Sequence, residues 1–203
     1  MREHRRDPVY HRLALFMVLT GTRVSEACGM CWDAVDLEQG IVRIVRTVRW
    51  DHWTRRLSLE ETTKTPESAR MFPLAETLRT MLREMQNEHA ATPAKLVFPA
   101  PNGQPLRYNA VQSAFNAGFK ALDLPWRSTH ICRHTFGTLA LLATRDLSAV
   151  QASLGHKSRQ ITEKYAKSVA LLSASTSEKT AELLRESHAN HVQNHVLTAK
   201  EKA

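Results

Sequence analysis

The chain has 203 residues, of which 42% are hydrophobic and 24% charged. That is enough for one well-buried domain or at most two small ones, and it excludes a disordered chain. A formal net charge of +8 favours a polyanionic partner such as nucleic acid, although charge alone selects neither the polyanion nor the fold.

Cys28, Cys31 and Cys132 are too few for a disulfide scaffold and fit a reducing cytoplasm. The apolar run Leu13 to Leu19 follows the basic start MREHRRD, but it is too short to cross a bilayer. No small-residue cleavage site follows it, and Arg23 and Glu26 arrive at once, so it reads as the core face of a first helix with no membrane partner.

That helix runs from Pro8 to Leu19, with proline in its first turn. Thr20-Gly21-Thr22 breaks it, and a second helix runs from about Arg23 to Trp32. Ile41 to Val48 is rich in β-branched residues after Gly40 and reads as a strand. Two shorter strands follow, around Arg56 to Glu60 and Ala69 to Phe72, with a turn at Lys64-Thr65-Pro66. Leu74 to His89 is helical, and the proline-rich stretch Pro93 to Pro105 is a connection holding the short run Lys95 to Phe98. Tyr108 to Leu122 is helical again. From Thr129 the pattern stays helical, with breaks near Asp146 and at Gly155-His156. Ser175 and Glu178 have capping-box spacing for a last helix, Ser177 to about Asn190. The expected class is mainly α with a small antiparallel β-sheet (α+β).

Four clusters carry reactive side chains. Arg23 opens a helix, with Glu26 one turn later on the same face. Lys64 sits between threonines in a turn. His130 and Arg133 share a face at the start of an apolar helix, and Gly155-His156 precedes Tyr165 by a short step. Phosphoryl transfer at a phosphodiester is one chemistry that uses such a set. Guanidinium groups match the charge that develops on the equatorial oxygens, acids and bases move the protons, and a tyrosine hydroxyl can be the nucleophile.

The order of these motifs is specific. Thr20-Gly21-Thr22-Arg23-Val24-Ser25-Glu26 resembles the first arginine box of tyrosine recombinases (the phage-integrase type). Thr63-Lys64-Thr65 with Ser68-Ala69-Arg70-Met71-Phe72-Pro73-Leu74 resembles their lysine hairpin and returning strand. His130-Ile131-Cys132-Arg133-His134-Thr135-Phe136 resembles the second box, and Leu154-Gly155-His156 with Tyr165 the closing motif.

The resemblance spans roughly residues 8 to 170 and implies a tyrosine recombinase catalytic-domain fold over residues 1–175. Residues 176–203 would form a C-terminal helix and tail that docks on a neighbouring subunit. It further implies that Tyr165 attacks the scissile phosphate, leaving a 3′-phosphotyrosyl link. Arg23, Arg133 and His156 would hold the non-bridging oxygens. Lys64 would protonate the departing 5′-oxygen, His130 would assist proton transfer at the tyrosine, and Glu26 would orient the arginines. No metal or other cofactor is implied. The partners would be double-stranded DNA and three further copies, giving a tetramer on two DNA sites and a monomer without DNA. Related alternatives are a type IB topoisomerase-like relaxing enzyme and a non-catalytic DNA-binding remnant.

This sequence departs from the family pattern in places. The segment between Arg23 and Lys64 is long and carries Arg43, Arg46, Arg49, Arg55 and Arg56, as a DNA-facing extension or a solvated hairpin. Cys28 and Cys132 stand where leucine is common. Little precedes Pro8, where the family usually carries a helical DNA-clamping domain, so a lone catalytic domain or a piece of a longer chain is expected. Cys28-Gly29-Met30-Cys31 has C-x-x-C spacing but lacks a preceding strand or further ligands, so small buried hydrophobes is the better account. His134 is assigned to packing. His188, His191 and His195 are assigned to an exposed tail rather than a metal site.

Overall fold

The apolar run of the first helix becomes the centre of the molecule. A computed structural model describes residues 8–51, 53, 56–61, 70–88, 95–155, 160 and 162–170. Helix α1 (Pro8–Thr20) buries Leu13, Phe16 and Met17 and packs against four other elements. At its end the Thr20 hydroxyl donates to the Phe16 carbonyl at 2.7 Å, and Gly21 turns the chain at φ +66°. Helix α2 (Val24–Cys28) then starts with Arg23 at its N-cap.

α2 is shorter than the expected Arg23 to Trp32, and the reason is tertiary. A Cβ on Gly29 would lie 3.0 Å from the Thr47 backbone, so a strand crosses where the helix would continue. Beyond Gly29 the chain is extended. The Val97 amide donates to the Met30 carbonyl at 2.9 Å, the Trp32 amide donates to the Lys95 carbonyl at 3.1 Å, and Cys31 bridges Leu96. A 3-10 turn, Trp32–Ala34, follows.

The expected strand Ile41 to Val48 is two strands that belong to different sheets. β1 (Val35–Asp36), β2 (Ile41–Ile44) and β5 (Arg70–Pro73) form an antiparallel sheet in the order β1-β2-β5. Its register pairs Val42 with Phe72 and Ile44 with Arg70. Val42 and Ile44 point into the core and Arg43 points out, the alternation a half-buried strand requires. After Val45 the chain changes partner: β3 (Arg46–Trp50) pairs only with β4 (Leu57–Glu61), Val48 opposite Leu59, as a separate two-stranded ribbon. Apolar runs alone do not mark such a change of partner.

Helix α3 (Glu76–Glu88) buries Leu78, Met81, Leu82 and Met85 at helical spacing. Its Arg79 donates to the Leu37 and Glu38 carbonyls at 2.7 and 2.8 Å, fixing the turn between β1 and β2. An irregular stretch with a Pro99–Pro105 bridge leads to α4 (Tyr108–Ala121) and then α5 (His130–Thr144). Arg145 ends α5 in the left-handed region, φ 54°. The expected break near Asp146 is a cap: its carboxylate accepts from the Ser148 and Ala149 amides at 2.8 and 3.0 Å and opens α6 (Leu147–Leu154). Residues 162–170 form α7.

Two cores result. The larger joins α1, α2, the β1-β2-β5 sheet, α3 and α4 to Cys132 of α5. The smaller joins Leu141, Val150, Leu154 and Tyr165, and so holds α5, α6 and α7 together. The architecture is mainly α with small antiparallel sheets, as expected. Among the described residues no helix is long and apolar enough to cross a membrane. Lys64, Arg55, His156, the expected helix Ser177 to Asn190 and the tail histidines lie outside the described residues.

Candidate active site

The first box owes its shape to a glycine. Gly21 is buried and left-handed, and a Cβ there would lie 2.9 Å from Leu154 and collide with the Phe136 ring. Its close packing sets the turn between α1 and α2 against Phe136 of α5 and Leu154 of α6. Arg23 then stands at the α2 N-cap with an exposed side chain. The Glu26 carboxylate, 9% exposed, returns to it twice, accepting from the Arg23 amide at 2.8 Å and from its guanidinium at 2.8 Å. This is the returning half of a capping box, the N3 carboxylate on the N-cap amide, with an ion pair added.

Glu26 also holds a third donor, the Arg70 guanidinium from β5, at 2.6 Å. Burial opposes the charged form of Glu26. Arg70, the Arg23 amide and the Arg23 guanidinium outweigh it and hold the carboxyl below its ordinary value.

Arg133 reaches the same region from α5. Its guanidinium is buried and donates to the Gly21 carbonyl at 2.7 Å and the Leu154 carbonyl at 2.5 Å. Burial, with Arg23 and Arg70 close by, pushes its pKa down to about 10, against the pull of Glu26. It remains a cation at neutral pH. Arg23, Arg70 and Arg133 thus surround a single carboxylate, leaving a local surplus of positive charge suited to an incoming phosphate.

Tyr165 lies against α5 one turn after Arg133. It is 4% exposed, and a Cβ on Gly137 would sit 2.7 Å from its ring, so the tyrosine rests directly on the α5 backbone. Burial raises its pKa above the ordinary tyrosine value, with Arg133 pulling the other way. His130 is exposed at the start of α5. His134, one turn on, stacks obliquely on Tyr165 with ring centroids 5.7 Å apart, which fits its assignment to packing. Burial lowers the His134 pKa, helped by His130, Lys164 and Arg133.

The structure therefore brings Arg23, Glu26 and Arg133 into one network and sets Tyr165 beside Arg133. His130 lies on the α5 turn before His134. Sequence reasoning missed Arg70 and Gly137. The signal for Gly137 was present, since a glycine inside a strong helical pattern often marks a close approach. Arg70 had no such signal.

Cys28, Cys31 and Cys132 are buried and unpaired. Burial pushes the Cys28 thiol up to about 12, far from a reactive thiolate. Among the described residues no cluster of His, Cys, Asp or Glu is arranged to hold a metal.

The residue profile of the Phage integrase family matches residues 2–170. The chain belongs to the phage integrase family. Among curated phage-integrase relatives, the "Tyrosine recombinase XerC-like" protein of Caldanaerobacter subterraneus subsp. tengcongensis is 27% identical over 173 residues. That alignment covers 75% of this chain and 44% of the relative. This chain thus spans less than half the length of that relative. Among solved structures, the Tn1549 transposon integrase in complex with circular intermediate DNA superimposes with TM-score 0.69 at 22% identity. It covers 81% of this chain and 57% of the integrase. The XerH site-specific recombinase bound to palindromic difH substrate gives TM-score 0.62 at 21% identity, covering 87% of this chain and 47% of the recombinase. Both likenesses establish the fold.

Proposed function

We propose that this chain cuts and rejoins double-stranded DNA as a site-specific recombinase or integrase, through a covalent 3′-phosphotyrosyl link to Tyr165. One observation carries the reading. Two arginines from separate helices, Arg23 and Arg133, converge through Glu26 and the Leu154 carbonyl beside a tyrosine packed on the second helix. Family membership supports it, as do the relatives named as recombinases and the fold neighbours solved on DNA.

In this mechanism Arg133 commits two of its five donors to the Gly21 and Leu154 carbonyls, which fix its plane, and turns the others to the non-bridging oxygens. Arg23, aligned by Glu26, and His156 complete the clamp. The Tyr165 hydroxyl is protonated at rest, so its proton must leave as it attacks. His130 takes that proton while the tyrosine oxygen bonds to phosphorus and the bond to the 5′-oxygen breaks. Lys64 supplies a proton to the departing oxygen. Rejoining reverses the step with a 5′-hydroxyl as nucleophile, so the phosphotyrosine conserves the bond and no hydrolysis occurs. The assembly proposed is a tetramer on two DNA sites.

The test uses a pool of singly nicked duplexes of randomised sequence, incubated with the chain and then with SDS. Expected is an SDS-resistant adduct that maps to Tyr165 and persists in excess EDTA. An adduct on another residue, no adduct, or loss on chelation would overturn the reading. Plasmid relaxation with no two-site recombination would assign the same chemistry to a topoisomerase instead.

A further inference from the structure

Arg70 is more deeply committed than its place on a returning strand suggests. From β5 its Nη2 donates to the Glu26 carboxylate at 2.6 Å, while its Nη1 donates to the Leu154 carbonyl, 84 residues away in sequence. Leu154 is the last residue of α6, and the same carbonyl receives Arg133. The result is a closed circuit: Arg23 to Glu26, Glu26 to Arg70, Arg70 to the Leu154 carbonyl, and that carbonyl to Arg133.

The neighbours of Arg70 are shaped to admit it. Gly155 is left-handed at φ +63°, and a Cβ there would lie 2.6 Å from the Arg70 Cδ and 2.8 Å from its Nη1. Gly155 therefore serves two needs, the turn out of α6 and the passage of the arginine stem. The guanidinium carbon also lies 5.7 Å from the centroid of the Phe72 ring, which keeps the fork in its plane.

We propose that Arg70 is a positioning residue for the cleavage step. It ties the end of α6, where the chain enters Gly155 and His156, to the carboxylate that aligns Arg23, and so registers the closing motif against both arginines. The inference rests on the cleavage function proposed above. A lysine cannot replace it, because one ammonium lacks the planar fork that reaches a carboxylate and a carbonyl in two directions. In this scheme Arg70 acts through the Glu26 carboxylate and the Leu154 carbonyl and does not touch the phosphate. Its loss should therefore slow the chemistry and leave DNA affinity intact.

The experiment compares wild type, Arg70→Ala and Arg70→Lys on duplexes that the wild-type chain has selected from the randomised nicked pool. Single-turnover adduct formation should fall about 10- to 100-fold in both variants, with DNA Kd within about two-fold of wild type. The Arg70→Ala and His156→Ala losses should be non-additive, so that Arg70→Ala costs less than about three-fold on the His156→Ala background. Hydrogen exchange in α6 peptides should rise in both Arg70 variants while α1 peptides stay unchanged. That readout needs no activity and covers a variant that cleaves too slowly to measure. Wild-type cleavage rates in Arg70→Ala, additive losses with His156→Ala, or a large loss of affinity would each overturn the positioning role. Failure of the wild-type chain to form any tyrosine adduct would instead overturn the cleavage function on which it rests.

Discussion

Arginine is concentrated in two regions of this molecule, and the two use it in opposite ways. In the β3–β4 ribbon, Arg49 faces Glu60 at 3.5 Å with both side chains largely in water, 70% and 43% exposed. Nearby Arg46 reaches Asp33 at 2.6 Å, and Trp53 in the connecting turn is 96% exposed. Around α2 and α5, Arg23, Arg70 and Arg133 converge instead on one buried carboxylate and two backbone carbonyls. Exposed pairs of the first kind contribute little, because solvent screens them and holding two long side chains costs entropy. In the second region the Glu26 carboxylate and the Arg133 guanidinium are buried, so removing a partner strands them in a low-dielectric setting. What distinguishes a site from a basic surface is the convergence of acceptors, not the number of cations.

The largest effects should come from breaking the buried region. Tyr165→Phe removes one oxygen and keeps the ring on Gly137, so the protein should fold normally and form no SDS-resistant adduct. Arg133→Ala should lower the single-turnover cleavage rate by about 10²- to 10³-fold, the scale for losing a preorganised donor at a developing charge. It also removes the Arg133 donor from the Gly21 carbonyl and leaves Arg70 alone on the Leu154 carbonyl, so urea unfolding should show a loss of about 1–3 kcal/mol. Stability loss with unchanged cleavage would make the cluster purely structural.

Gly137→Ala sharpens the same comparison from the tyrosine side. The added methyl would lie 2.7 Å from the Tyr165 ring, and the helix backbone cannot yield, so the ring must. Overpacking of this kind costs about 1–3 kcal/mol. Chemical denaturation should show that loss, and nitration of Tyr165, followed by mass spectrometry, should accelerate as the ring is expelled. Unchanged nitration would mean that the tyrosine is not seated on α5.

How far the sequence reveals these regions depends on where the partners lie. Arg23 and Glu26 are one helical turn apart, and His130 and Arg133 likewise, so periodicity finds them. The ordering of the boxes connects these pairs to Tyr165. Arg70 resembles the ribbon arginines in every local respect. Its distinguishing partner is a main-chain carbonyl contributed by α6, which no side-chain pattern displays. The break at Val45 was hidden for a similar reason, since β2 and β3 share β-branched composition and differ only in which strand they pair with. The end of α2 at Gly29 was set by the Thr47 backbone crossing it, again a tertiary cause.

A smaller effect separates the two regions by pH. The folded Glu26 carboxyl sits below its ordinary value of 4.5, because Arg70 and Arg23 outweigh its burial. A depressed acid contributes stability that is fully present above the unfolded pKa and is lost as pH falls through the folded one. Urea midpoints should therefore drop as pH falls through the ordinary value of 4.5 and below it, and Glu26→Gln should flatten that drop while lowering stability at neutral pH. An identical acid limb in wild type and Glu26→Gln would mean that the network does not protect this carboxylate.

The smallest effect should come from the ribbon, and its smallness is the point. Arg49→Ala removes a charge whose pair is 3.5 Å away and open to solvent, so stability should change by less than about 0.5 kcal/mol. Cleavage should stay within about two-fold of wild type, because no hydrogen bond among the described residues joins the ribbon to the circuit that fixes Arg23 and Arg133. DNA binding is the sharper measure. Residues 46–61 set Arg46, Arg49, Arg55 and Arg56 against Asp51, Glu60 and Glu61, a formal charge of 4 − 3 = +1, so the ribbon segment carries little net charge. The slope of log Kd against log salt should accordingly be unchanged in Arg49→Ala. A side chain that neutralises a phosphate would reduce that slope by about one. A change of that size would place Arg49 on the DNA backbone and make the ribbon a DNA-facing extension. A ten-fold loss of cleavage at constant affinity would go further, because an exposed arginine outside the buried network would then be aligning the chemistry.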